Sequence, residues 1–316
     1  MHHPRPGAKY LPTTLVLAVL AGCVAGEPSQ GSTEKTMGKV RAALLAAGDA
    51  DSLASAAELG LRQTVEERLA LGARASAAAP DRADLAWLHL QWCIRVESCD
   101  VTPIESQLRS LDPGNAAAWS GSLERAAKEN DTSRMQRLLE LMAGAERFDI
   151  YWNRIIAHTA DAMIRTHAID AAAATVNAIG IGAAQGIPAF QPISKACRGK
   201  ALEQPEVLDT CRRLSAVLRR GDTYITESFG LSLAMRLWPA DSAANHEASE
   251  ARRVLRYRID TGSKLSAHFA GKEATSYLQL LRTHPSEQEA GLADITAAGL
   301  SPDPPPGWRE SVLGGG

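Results

Sequence analysis

The chain has 316 residues, with 34 Lys and Arg against 36 Asp and Glu, and a formal net charge of −2. That length can bury a sizeable core, and the near-neutral balance lacks the basic excess of a nucleic-acid binder. Aromatics make up only 5% beside abundant Ala, Leu and long charged residues, a composition that favours helices over sheets.

The first segment reads as an address. Arg5 and Lys9, with no acidic neighbour, precede the apolar run from Leu11 to Leu20. A positive stretch followed by a short apolar one is a secretory signal, and this run is far shorter than the ~20 residues a spanning helix needs. Leu20, Ala21, Gly22 and Cys23 resemble the lipobox of bacterial lipoproteins. The resemblance implies a thioether from the Cys23 thiol to diacylglycerol and cleavage before Cys23, so that residues 1–22 are lost. The competing reading is an ordinary signal peptide with an incidental Cys. Residues 23–36 then form a polar tether of the flexible Gly/Ser/Pro kind. The protein would be anchored to the membrane and would not span it. Val24 stands where enteric-type lipoproteins retained in the inner membrane carry Asp, so the resemblance points to the inner leaflet of the outer membrane, facing the periplasm.

Five cysteines is an odd count. With Cys23 lipidated, Cys93, Cys99, Cys197 and Cys211 remain, and export to an oxidising compartment favours disulfides between them. The local pairs Cys93–Cys99 and Cys197–Cys211 are the most economical of the three pairings, with buried free thiols as the alternative. No pair has the C-x₂₋₄-C spacing of a zinc site. Six residues of continuous α-helix span ~9 Å, beyond the ~7 Å Cα limit for a bridge, so the helix carrying Cys93 must end before Cys99.

From Met37 to Gly299 the chain reads as short helices divided by breakers. Lys39–Ala47 ends at Gly48-Asp49, and Asp51 is the expected cap of the next helix. Pro80 marks a break, and Ala83–Ile94 precedes the Cys99 turn. Thr102-Pro103-Ile104-Glu105 reads as a capping box with Pro at the first helical position. Asp112-Pro113-Gly114 ends that helix, and Asn115 caps the one carrying Trp119. After Asn130-Asp131, Met135, Leu138, Leu139 and Met142 form an apolar stripe of helical period.

Pro80 and Pro113 stand 33 residues apart. Pro113 with Trp119 and Ala126, and Pro239 with Leu231, Ala234 and the Gly221-Asp222 turn, resemble the closing Pro and packing positions of tetratricopeptide repeats. The resemblance implies an all-α fold without a sheet, a right-handed array of helical hairpins like that of helical-repeat lipoproteins of Gram-negative bacteria. Ser122 and Leu123 depart from the repeat's Leu-Gly pair, and an irregular bundle of hairpins is the alternative. The expected organisation is one helical half over 37–178, a connecting loop over 179–196, a second half over 197–300 and a Pro-rich tail over 301–316. In the tail, Pro302 to Trp308 should run extended as polyproline II. Trp308 is expected to dock back on the helices, a disordered tail being the alternative. Ser286 and Glu289 form a further capping box.

No HExxH, P-loop, EF-hand or G-x-S-x-G motif occurs, and no cofactor or metal is implied. Gly180, Gly182 and Gly186 are one residue off the dinucleotide fingerprint and read as loop. Ser32 and Lys35 match a bare S-x-x-K, set in a tether that cannot preorganise it. His158 and Asp161 share a helix face, and with His167 or Asp149 they are candidates for a metal or acid–base site; a polar helix surface is the plainer reading. Arg252, Arg253, Arg256 and Arg258 would suit phosphate or lipid headgroups if they are more than a solvated face. Trp87, Trp92, Phe148, Tyr151 and Trp152 either pack helices together or line a groove. Trp87, Trp92, Tyr151 and Trp152 are the candidate interaction surface. The expectation is a non-enzymatic scaffold for an envelope protein partner. The alternatives are an envelope enzyme with a non-local site near His158 and Asp161, or a lipid or cell-wall binder.

Overall fold

The structure, a computed structural model, describes residues 30–60, 63–184, 187, 189–266 and 271–309. The signal segment 1–22, the lipobox Leu20–Cys23, Val24, Gly186 and residues 310–316 of the tail lie outside the described residues. All regular structure among the described residues is helical. The first half holds α1 (Gln30–Ala47), α2 (Ala50–Leu59), α3 (Val65–Ala78), α4 (Ala83–Arg95), α5 (Thr102–Leu111), α6 (Ser120–Lys128), α7 (Thr132–Ala143), α8 (Trp152–Arg165) and α9 (Ala171–Ala183). Then come α10 (Phe190–Ala196), α11 (Pro205–Leu218), α12 (Tyr224–Leu237), α13 (Ala243–Ser266), α14 (Lys272–Thr283) and α15 (Glu287–Ala297). Short 3₁₀ turns cover Ala116–Trp119 and Gly199–Glu203. Among the described residues there is no strand, only an isolated parallel bridge between Asn115 and Arg147.

Several boundaries differ from the sequence reading. The expected tether is helical from Gln30, and the expected loop over 179–196 is helical at both ends. There α9 runs on through Ala183, and α10 forms because Phe190 stacks on Phe229 at 4.4 Å and meets Phe148 at 6.2 Å. Asp49, not Asp51, caps α2, accepting from the Ser52 N–H at 3.1 Å. At Thr102 no capping box forms: Val101 takes the cap position, and Glu105 turns away to accept from the Ser122 N–H at 2.7 Å. A full capping box does form at Thr64 and Glu67. Ser286 caps α15 by accepting from Glu289 N–H.

The largest core joins α4–α7 to α10–α12 and includes the Met135, Leu138, Leu139 and Met142 stripe. A second cluster binds α1–α4 to α8 and α9. Both disulfides are present, with Cα separations of 5.3 Å for Cys93–Cys99 and 5.8 Å for Cys197–Cys211. As the geometry required, α4 stops at Arg95. Consecutive helices pack as hairpins in α2–α3–α4, α8–α9 and α11–α12–α13, but α14 also packs on α8 and α9, and α7 on α11. Repeats in a solenoid touch only their neighbours; here distant segments also close on one another.

Backbone comes close to backbone where α12 crosses the end of α11. A Cβ on Gly230 would sit 2.7 Å from the Arg219 backbone N and 2.9 Å from Ser215 O. Ala is favoured over Gly by ~1 kcal/mol inside a helix, so only this backbone contact accounts for the Gly. In the tail, Trp308 packs edge-on against Tyr257, 5.4 Å between ring centroids. The Trp308 N–H bonds Pro305 O at 3.0 Å, so the segment ends in a turn and not in continuous polyproline II.

Candidate functional site

Of the two roles open to the aromatics, packing between helices is the one most of them take. Trp87 is 3% exposed, Tyr151 6% and Trp92 and Phe148 not at all, while Trp152 is half-buried. Burying such large rings against neighbouring helices outweighs any gain from leaving them in water. Trp92 donates from Nε1 to Glu58 at 3.0 Å, and the Arg68 guanidinium lies 3.5 Å over its ring. Trp92, Glu58 and Arg68 thus hold α2, α3 and α4 together, and of the four candidate surface residues only Trp152 keeps partial exposure.

The proposed His158 constellation is also rearranged. Asp161 is paired with Arg282 of α14, and His167 lies past the end of α8 in a left-handed conformation, φ 55°. Asp149 belongs to the turn before α8. What His158 does meet is Asp51, 3.8 Å from its Nδ1. Asp51 in turn pairs with Arg82 at 3.1 Å, and Arg82 grips the buried Asp84 through two bonds of 2.8 and 2.6 Å. Burial lowers the proton affinity of His158, with Asp51 opposing it. The web ties the starts of α2 and α4 to α8. Among the described residues no group of three or more His, Cys, Asp and Glu is arranged to hold a metal ion. The arginines of α13 do not form one free basic face: Arg253 pairs with Glu250, Arg258 bonds Pro302 O, and Arg252 reaches Met235.

Two polar centres are not brought together by the sequence, although Asn115, Asp149, Tyr151 and Asp222 stand out there in other roles. The first is buried where three inter-helix turns meet. Asn115 accepts from the N–H groups of Ala117 and Asp149 and donates to Asp149 O and Tyr151 Oη. Tyr151 donates to Asp112, which Arg147 holds from the other side at 2.7 Å. Asp222, from the turn between α11 and α12, accepts from the Ile150 and Trp152 N–H groups at 3.0 and 2.7 Å. Burial raises its carboxyl well above the ordinary range, and the neighbouring Asp149 carboxylate raises it further.

The second centre lies beside it, where α12 meets α15. Glu287 accepts from the Tyr224 N–H at 2.7 Å, and burial lifts its carboxyl to about 7. Gln288 bridges Gly221 O at 3.0 Å and Glu227 at 3.1 Å, and burial raises Glu227 as well. An open cavity of about 310 Å³ adjoins this group, lined by Ala216, Arg219, Arg220 and Glu227. In the sequence these acids resemble helix-start residues, and no local pattern brings residues more than sixty positions apart to one place. No protein-family model, curated protein or solved structure matches the chain. The site must be read from its own residues.

Glu287 gives a pH test. A carboxyl whose folded pKa is raised favours folding only while it is protonated. Its cost is therefore absent below about pH 4.5 and full above about pH 7. Glu287→Gln keeps an oxygen for the Tyr224 N–H and removes the charge. It should stabilise the protein by roughly 2 to 3 kcal/mol at pH 8 and by almost nothing at pH 4.5. Urea unfolding at the two pH values checks this, and an equal effect at both would contradict it.

Proposed function

We propose that the chain is a lipid-anchored protein of the cell envelope whose body, an array of helical hairpins with tetratricopeptide-like features, is a non-enzymatic scaffold for a protein partner facing the periplasm. Cysteine pairing carries the reading. Cys93, Cys99, Cys197 and Cys211 bond to one another in two disulfides, and the fifth cysteine of the sequence is Cys23 of the lipobox. Structural disulfides fit export to an oxidising compartment, and a fifth cysteine at that position fits lipidation.

The anchor also constrains placement. From Cys23 to the start of α1 at Gln30 is seven residues, which extend at most about 25 Å. A helical body held so close to a leaflet samples partners in or near that membrane. Asp161 is paired with Arg282 of α14 and His158 faces Asp51 of α2, so the two groups are turned to different helices, which favours scaffold over catalyst. Packed helical hairpins can bind a protein segment along a surface groove without catalytic residues.

Membrane fractionation of wild type and Cys23→Ala tests the anchor, with the wild type expected in the outer-membrane fraction and the variant in the soluble periplasmic fraction. A variant that still sediments with membranes would refute lipidation at Cys23. Crosslinking in intact cells tests the scaffold: an envelope protein recovered repeatedly with wild type and lost with Cys23→Ala is the expected result, and repeated failure to recover one counts against it.

A further inference from the structure

We propose that the cavity at the α11–α12 turn binds a small zwitterion, an amino acid or a short peptide, with its ammonium on Glu227 and its carboxylate on Arg219 and Arg220. The inference is independent of the membrane anchor and of any protein partner.

The cavity is small, about 310 Å³, at the lower end of the range for ligand pockets. Ala216 in the last turn of α11 contributes only a methyl group to its wall, while the other three lining residues bring two positive charges and one negative. A simple anion would meet the Glu227 carboxylate and a simple cation would meet two guanidinium groups. A molecule carrying both charges suits Glu227 and Arg220, and adds to the partner that Arg219 already has in Glu247.

The charged groups are held before any ligand arrives. Arg219 is pinned by Glu247 of α13 at 2.9 Å, and Arg220 by its Nε on Glu146 O at 2.5 Å. Each bond engages one N–H of a group that has five donors, so both guanidiniums keep further donors for a carboxylate. Glu227 is fixed by the Gln288 amide, which is itself anchored on Gly221 O. Arg219 and Arg258 are the cations near this carboxyl, yet burial still disfavours its charge. An arriving ammonium supplies a closer counter-charge and a hydrogen-bond donor.

Titration calorimetry on the full-length protein in detergent, with L-alanine and L-alanyl-L-alanine as probes, tests this. Saturable binding of at least one is expected, and which one binds tells a free amino acid from a peptide. Blocking the probe's amine by acetylation, or its carboxylate as the amide, should weaken binding about tenfold or more, as should Glu227→Gln and Arg220→Gln. Arg220 is exposed, so its variant keeps the test decisive if Glu227→Gln does not fold. The proposal is overturned if neither zwitterion binds below about 10 mM, if the acetylated dipeptide binds as tightly as the free one, or if a folded variant binds like wild type.

Discussion

Asp222→Ala is expected to cost about 3 to 5 kcal/mol, a large share of a typical stability of ~5–15 kcal/mol. The reason lies at the start of α8. Tyr151, the residue before the helix, adopts a left-handed conformation, φ 60°, and its side chain makes no cap. The exposed donors of a helix start need acceptors from somewhere. Asp222 supplies them from about seventy residues away, one carboxyl oxygen to Ile150 N–H and the other to Trp152 N–H. It is 5% exposed, so water does not replace it readily. Each buried donor left without an acceptor costs ~1–3 kcal/mol. Relief of the Asp149–Asp222 repulsion opposes this, but the raised proton affinity of Asp222 already limits that repulsion, so the two lost acceptors prevail. Asp222→Asn keeps one acceptor and should fall between Ala and wild type. Urea denaturation at pH 7 measures all three, and an Asp222→Ala protein within 1 kcal/mol of wild type would falsify the tertiary-cap argument.

That residue also shows where sequence reading stops. The α7 stripe, the Asn115 cap and the end of α4 before Cys99 follow from local rules: a period of 3.6, a side chain reaching two residues on, a Cα distance limit. Thr64–Glu67 and Thr102–Glu105 carry the same capping pattern, yet only the first forms a capping box. The difference is tertiary. A Cβ on Gly121 would sit 3.0 Å from Glu105 Oε1, so bare backbone there lets α6 approach and draws Glu105 to Ser122. The aromatics pose the same problem. Their spacing fits a helix face, but which face is covered depends on helices elsewhere, and Trp92 is sealed by Glu58 and Arg68 from α2 and α3. The residues that line the cavity, Ala216 to Glu227, are near one another in sequence and read there only as a turn, while the Gln288 that fixes Glu227 comes from 61 positions away.

Removing the Cys197–Cys211 bridge should cost about 3 kcal/mol, and removing Cys93–Cys99 somewhat less, because the stabilisation grows with the loop closed. The separations are 14 and 6 residues. The longer bridge joins the end of α10 to α11 through a 3₁₀ turn in which no residue is buried, so little else fixes that connection. Both its cysteines are in the main core with Ile193 and Leu214, whereas of the shorter bridge only Cys93 is, so deleting the longer one leaves the larger void. The shorter bridge has support: Arg125 donates to Cys99 O, and Val101 and Ile104 are buried just beyond it. Cys197→Ala/Cys211→Ala should therefore unfold at clearly lower urea than Cys93→Ala/Cys99→Ala. Reductant should lower the wild-type midpoint at least as far as the larger of the two effects. If reductant leaves that midpoint unchanged, the bridges do not stabilise the fold, and their presence no longer favours an oxidising compartment.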